Sequence, residues 1–204
     1  MGLSYRGRYL KNEESREKDS TRDVLECLRD FSSMVFWVLL LFLLFFRVAM
    51  VDGSSMYPTL KNGDRLLLIS NLLQPEFRQG DVVVVHEQDF ADQYNLIKRV
   101  IATEGQTLDI DFEAGVVYVD GEALEEDYVN TPTNLDEGME FPVTVPEGCV
   151  FVMGDNRNNS KDSRDPQVGF VDQREIFGKA VLVFLPGPER DTERRDFSRI
   201  GGIR

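Results

Sequence analysis

Histidine is almost missing from this chain: His86 is the only one in 204 residues. Cysteine is nearly as scarce, with Cys27 and Cys149 alone. These scarcities argue against a Cys/His metal centre and a disulfide framework, and they leave any nucleophile short of its usual imidazole base. Positive charge is in deficit too. With 23 Lys and Arg against 36 Asp and Glu, the formal net charge is -13, the wrong sign for neutralising phosphates, so a nucleic-acid partner is not expected. Long apolar runs are absent apart from one, Met34 to Val51, whose only charge is Arg47. The two cysteines flank that run, so if it spans a bilayer they cannot pair within one chain.

What is present is a hydrophobic fraction of 42%, enough for the core of one domain, or of one domain with a smaller subdomain set into it. Residues 1–33 hold seven Lys/Arg and seven Asp/Glu and few large apolar groups, which makes them a polar tail. Val24, Leu25 and Leu28 fall at helical spacing, so a short helix is expected to run from Thr21 into the apolar segment. As a helix, residues 34–51 would be about 27 Å long against a hydrocarbon core of about 30 Å. The long polar lead and the poor cleavage site at Val48-Ala49-Met50 favour a retained anchor over a cleavable signal peptide. Arg47 is expected to snorkel to the interface. Arg16, Lys18, Arg22 and Arg29 outnumber Lys61 and Arg65 across the run, which sets the N-terminus on the cytoplasmic side and the large domain outside.

Directly after the anchor, Asp52-Gly-Ser-Ser-Met-Tyr-Pro-Thr-Leu60 reads as a turn able to present Ser55, either as a nucleophile or as a plain turn serine. Strands are expected at Asp64–Ile69 and Gly80–His86, apolar on both faces and therefore buried. His86 closes the second, where a lone histidine is usually a surface or satisfied residue. In Asn95-Leu-Ile-Lys-Arg-Val-Ile101 the period of two places Lys98 between Leu96 and Val100 on one face and Arg99 on the other. A buried lysine loses proton affinity and can act as a base; a lysine on an edge strand can equally be a guard against aggregation. Arg99 suits an ion pair with a carboxylate. Residues 103–149 carry a hairpin signal at Asp120-Gly121 but no chemical motif, and read as a small β-rich cap with a structural or steric role. Val150–Met153 and Ile176–Leu185 are strands around the polar loop Gly154–Asp165, which is either solvated or internally paired. The tail beyond Pro186-Gly-Pro188 is expected to be mobile.

Taken in order, Ser55-Met-Tyr-Pro-Thr-Leu60, Gly63-Asp-Arg-Leu66, Arg78-Gln-Gly-Asp-Val82, Ile97-Lys-Arg-Val-Ile101 and Gly154-Asp-Asn-Arg-Asn-Asn-Ser-Lys-Asp-Ser-Arg164 resemble the motifs of the bacterial type I signal peptidases, membrane-anchored Ser/Lys serine proteases. The resemblance spans about residues 34–185 and implies a mainly β fold: an antiparallel catalytic sheet with an inserted cap, after one N-terminal transmembrane helix. It divides the chain into a polar tail (1–33), an anchor (34–51), a catalytic domain (52–102 and 150–188), a cap (103–149) and a C-terminal tail (189–204). It makes Ser55 the nucleophile, Lys98 the general base acting from its neutral amine, and Ser160 the residue that orients Lys98. Asp155, Asp162 and Arg164 would support the site, with Arg99 paired to one of the carboxylates. No cofactor is implied. The substrates would be secretory precursors, cut beside the signal peptide at the membrane surface. The Ser55 amide would meet the oxyanion, while Gly53 stands where some members have a second, hydroxyl donor. The competing readings are a membrane-tethered β-domain that binds without catalysis and a Ser/Lys self-cleaving regulator.

Overall fold

A computed structural model describes residues 3–73, 76–86, 95–189 and 194–203, with side chains from Arg22 onward. It separates into two compact units, Met1–Leu44 and Phe45–Arg204. The first is built on one helix, α1 (Leu3–Phe45). Its last 24 residues, Arg22–Phe45, are long and apolar enough to cross a membrane. The expected helix through Thr21–Phe31 is therefore present, and the polar lead is helical from Leu3. The side chains of Arg16 and Lys18, on which the orientation count partly rests, lie outside the described residues.

The second unit is almost entirely antiparallel sheet. In chain order its strands are β1 (Phe46–Met50), β2 (Arg65–Ser70), β3 (Val82–His86), β4 (Asn95–Thr103), β5 (Thr107–Asp111), β6 (Val116–Val119), β7 (Glu122–Ala123), β8 (Val143–Thr144), β9 (Cys149–Met153), β10 (Val171–Asp172), β11 (Ile176–Leu185) and β12 (Gly201–Gly202). The main sheet runs β1-β2-β11-β3-β4-β9-β10, with β12 paired to β11. A second sheet runs β7-β6-β5-β8, wholly within residues 103–149. The mainly antiparallel β architecture expected from the sequence is what the chain forms.

Val82–Val85 shows why the main sheet is apolar on both sides. Val82 and Val84 point into a core shared with Met56, Leu60, Leu66, Leu68 and Ile97. Val83 and Val85 point into the opposite one, with Val100, Val152 and Ile176. A third core, around Ile101, Leu108, Val117, Phe151 and Met153, lies between the two sheets. The alternating side chains of β3 serve two cores, so this strand is apolar on both faces.

Two expectations fail. The apolar run is not one helix to Val51: it stops at Phe45, and Phe46–Met50 form β1, in register with β2 from Phe46↔Ile69 to Met50↔Arg65. An apolar run carries no periodicity to separate helix from buried strand, and the open edge of β2 supplies the backbone partners. Arg47 accordingly does not snorkel. Its guanidinium lies 4.0 Å from the centre of the Phe177 ring and donates to the Phe177 carbonyl at 3.1 Å. The C-terminal tail is the second. Residues 190–193 and 204 lie outside the described residues, but Gly201–Gly202 pairs with β11, and Arg199 donates to both oxygens of buried Asp64.

Candidate active site

The loop that presents Ser55 is tied at both ends and pinned in the middle. At its base Val51 N donates to Asp64 O and Gly63 N to Val51 O, each at 2.8 Å. Within it Leu60 N donates to Met56 O at 2.8 Å, one tight turn that buries both side chains in the core. Burying such a residue is worth about 1.5–3 kcal/mol, enough to hold a short loop in one pose. Asp64, itself fully buried, accepts from Lys61 N, Gly187 N and Arg199. Gly53, with a positive φ of 93°, donates its amide to Asn62 Oδ1 at 2.9 Å.

From the other side the loop is held by residues 154–165. Asn156 N donates to the Ser55 carbonyl at 2.9 Å, Asn156 Nδ2 to the Ser54 carbonyl, and Asn159 Nδ2 to Ser54 Oγ. Gly154 sits at the crossing. A Cβ built there would collide with Ser160 Oγ and lie 2.6 Å from the Ser55 carbonyl oxygen. The β4–β9 register ends on the Arg99↔Met153 pair, so Gly154, which follows β9, and Lys98, which precedes Arg99 on β4, both adjoin that last pair. Gly154 thus lets Ser160 and the Ser55 backbone meet just beyond the last pair of the β4–β9 ladder, on the Lys98 side of it.

Lys98 is buried, at 3% exposure. Loss of hydration is the largest influence on its amine and drives its pKa below the ordinary 10.5, opposed by the carboxylates of Asp162, Glu137 and Asp155. Ser160 Oγ donates to Asp162 Oδ2 at 2.8 Å, so its proton is committed to the carboxylate and its lone pairs remain for a donor. Asp162 Oδ2 also accepts from Gly154 N at 2.9 Å. Arg164 clasps Asp162 through Nε at 2.8 Å and Nη2 at 2.9 Å. Arg99 clasps Asp155 through Nε and Nη2, both at 2.8 Å, and reaches the Gly80 carbonyl through Nη1. The polar loop is paired rather than solvated, within itself at Asp162–Arg164 and outside itself at Asp155–Arg99 and Arg157–Glu126, with Asp155, Arg157, Asp162 and Arg164 all fully buried. His86 lies elsewhere, at the far end of β3, with Nδ1 3.1 Å from Asn95 Oδ1.

Sequence reasoning missed several members of this cluster. Thr59, on the serine loop, donates to Asp155 Oδ2. From the cap, Glu126 accepts from Arg157 through both oxygens, Thr133 accepts from Arg157 Nη1 at 2.9 Å, and the Tyr128 ring lies 4.0 Å from the Arg99 guanidinium. Glu137 lies 3.4 Å from Arg164 Nη2 and accepts from Asp162 N at 3.2 Å. The purely structural or steric role expected of the cap is therefore too narrow: it carries carboxylates into the charged cluster. The available signal was Arg157, a third arginine beside the site that needed an anion from outside its own loop once buried. Nothing in an acidic segment told which Glu would supply it.

Comparison with known proteins assigns the chain to a class. The family described as signal peptidase, peptidase S26, matches residues 24–185, and the chain belongs to it. A probable signal peptidase I-1 from Synechocystis is 42% identical over 164 residues, 75% of this chain and 79% of that protein. Signal peptidase I T of Bacillus subtilis is 33% identical over 86% of this chain and 92% of its own length. A crystal structure of a signal peptidase I from Enterococcus faecalis, 30% identical, overlaps 51% of this chain and 96% of that chain with a TM-score of 0.41.

Proposed function

We propose that the chain is a membrane-anchored serine endopeptidase that removes signal peptides from secretory precursors, with Ser55 as nucleophile and the neutral amine of Lys98 as general base. The observation that carries this reading is the burial of Lys98 at the end of the β4–β9 ladder, beyond which Ser160 Oγ and the Ser55 backbone converge on Gly154. A desolvated lysine is a usable base near neutral pH, as a hydrated one is not. Lys98 takes the Ser55 hydroxyl proton as Oγ attacks the scissile carbonyl, then returns it to the leaving amine. In the second half a water gives its proton to Lys98 and attacks the acyl-enzyme, and the released Ser55 oxygen is reprotonated.

Ser160 positions the amine by accepting from it while donating to Asp162. Arg164 and Arg99 hold Asp162 and Asp155 in place, and so fix geometry rather than enter the chemistry. The oxyanion meets the Ser55 amide. Gly53 has no side chain to add a second donor. In this reading the helix over Arg22–Phe45 is the anchor, with its N-terminus cytoplasmic and the sheet unit outside. The catalytic domain is formed by the main sheet, and residues 103–149 are the inserted cap.

The test is cleavage of a model precursor in detergent. Ser55→Ala and Lys98→Met are each expected to lower kcat/KM by on the order of 10^3 or more while the protein stays folded. His86→Ala is expected to cleave at close to the wild-type rate. Full activity in either of the first two, or a loss in the third equal to theirs, overturns the assignment.

A further inference from the structure

Arg157 finds no carboxylate within its own loop. It is fully buried, and the aspartates around it are taken: Asp155 by Arg99, Asp162 by Arg164 and Asp165 by Lys161. Its anion comes from the cap instead. Glu126 accepts from Nη1 and Nη2 through separate oxygens, and Thr133 Oγ1 takes a second bond from Nη1 at 2.9 Å. The remaining donor, Nε, reaches the Gly154 carbonyl at 3.0 Å. The planar fork of the guanidinium lets one side chain bind the cap carboxylate and the loop backbone together.

That carbonyl opens the short run on which the serine loop rests. Gly154 N donates to Asp162 Oδ2 at 2.9 Å, Arg99 clasps the Asp155 carboxylate, and Asn156 N donates to the Ser55 carbonyl at 2.9 Å. Both arginines that hold the run meet the same cap ring. The Tyr128 ring centre lies 4.0 Å from the Arg99 guanidinium carbon and 5.9 Å from that of Arg157, and Tyr128 Oη donates to Glu126 Oε1 at 3.2 Å. We infer that Glu126 is a positioning residue of the catalytic centre: by holding Arg157 from the cap it fixes the Gly154 carbonyl, and through residues 154–156 the pose of the Ser55 loop. The inference rests on the reading of Ser55 as nucleophile. Without the carboxylate, a buried cation is left unpaired and turns towards whatever water or anion it can reach. Nε then leaves Gly154, whose peptide keeps only its Asp162 anchor. Little displacement is tolerated there, because Ser160 Oγ and the Ser55 carbonyl already occupy the space where a Cβ would stand.

The experiment is cleavage of a signal-peptide-containing precursor by the full-length chain in detergent, with kcat and KM separated, at a temperature well below each variant's melting midpoint. Glu126→Gln keeps the shape and one acceptor but not the charge. It is expected to lower kcat by roughly 10 to 10^2-fold with KM within about twofold, the scale of misplacing a catalytic group by up to about an ångström. Wild-type kcat in Glu126→Gln, with any loss confined to KM, overturns the inference. Combining Glu126→Leu with Arg157→Met separates positioning from support. Exchanging a buried ion pair for apolar side chains often restores or raises stability, so this double variant is expected to melt no lower than Glu126→Gln. It is expected to keep the low kcat, because methionine has no donor for the Gly154 carbonyl. Recovery of kcat together with the melting temperature makes the pair a structural tie alone and overturns the inference. Should the double variant fail to fold, Arg157→Lys takes its place, keeping the charge beside Glu126 without the fork that also reaches Gly154. A low kcat with unmoved KM there supports the inference, and a wild-type kcat refutes it. Ser55→Ala tests the underlying reading separately. Retained cleavage there removes the nucleophile and this inference with it, whereas an inactive Ser55→Ala beside a wild-type kcat in Glu126→Gln defeats the inference alone.

Discussion

Lys98 costs the fold something wherever its amine would be charged. Its folded-state pKa lies below the 10.5 of a free lysine, so the folded chain binds fewer protons than the unfolded one between those two values. Stability from this group therefore rises with pH across that interval, and the penalty is fully in force below it. Replacing the lysine by an isosteric apolar residue removes the penalty. Lys98→Met is thus expected to melt at a higher temperature than the wild type at neutral pH, with the difference shrinking as pH approaches 10.5; a difference independent of pH would contradict the burial argument. Gly154 makes the opposite case. A methyl group there meets Ser160 Oγ and the Ser55 carbonyl, so Gly154→Ala is expected to cost 10^2-fold or more in kcat, on the order expected for misplacing a catalytic group by about an ångström. Thermal melting alongside kinetics separates that displacement from general unfolding.

The serine loop depends on pieces far from it in sequence. Arg199 braces Asp64, and Asp64 closes the base of the loop and binds the Gly187 amide. Removing the guanidinium leaves a buried carboxylate short of its cation, so Arg199→Ala is expected to cost about 2 kcal/mol, discounted from the fully buried case because Arg199 is 17% exposed. Urea unfolding of the two proteins measures it. The brace was not legible in the sequence, because a charged tail after Pro-Gly-Pro looks the same whether it returns to the sheet or not. Strands β2, β3, β4, β9 and β11 were legible, since β-branched runs bounded by Gly and Asp leave few alternatives. So were Arg99 and the pairing within the polar loop. The cap's contribution was hidden for a physical reason: a carboxylate's role is set by which buried arginine it meets, and that partner is chosen by tertiary contact. The end of α1 was misplaced for a related one, as Phe46–Met50 becomes a strand only because β2 offers it an edge.

The sheet unit is compact in itself from Phe45 onward. A chain lacking residues 1–44 is expected to fold and to cleave a soluble peptide, because every strand of the main sheet is retained. A chain lacking residues 1–51 loses β1 and bares β2, so it is expected to aggregate or melt at a lower temperature. Size-exclusion chromatography and thermal unfolding of the two truncations check the pair, and equal behaviour would show β1 to be dispensable. Between the last helical residue, Phe45, and the first strand residue, Phe46, there is no spacer at all. An enzyme joined by a flexible stalk can be clipped free and diffuse away intact. Here a cut inside β1 strips the sheet's edge, so release by cleavage there is expected to cost the enzyme its stability, whereas a cut before Phe45 leaves every strand of the sheet in place.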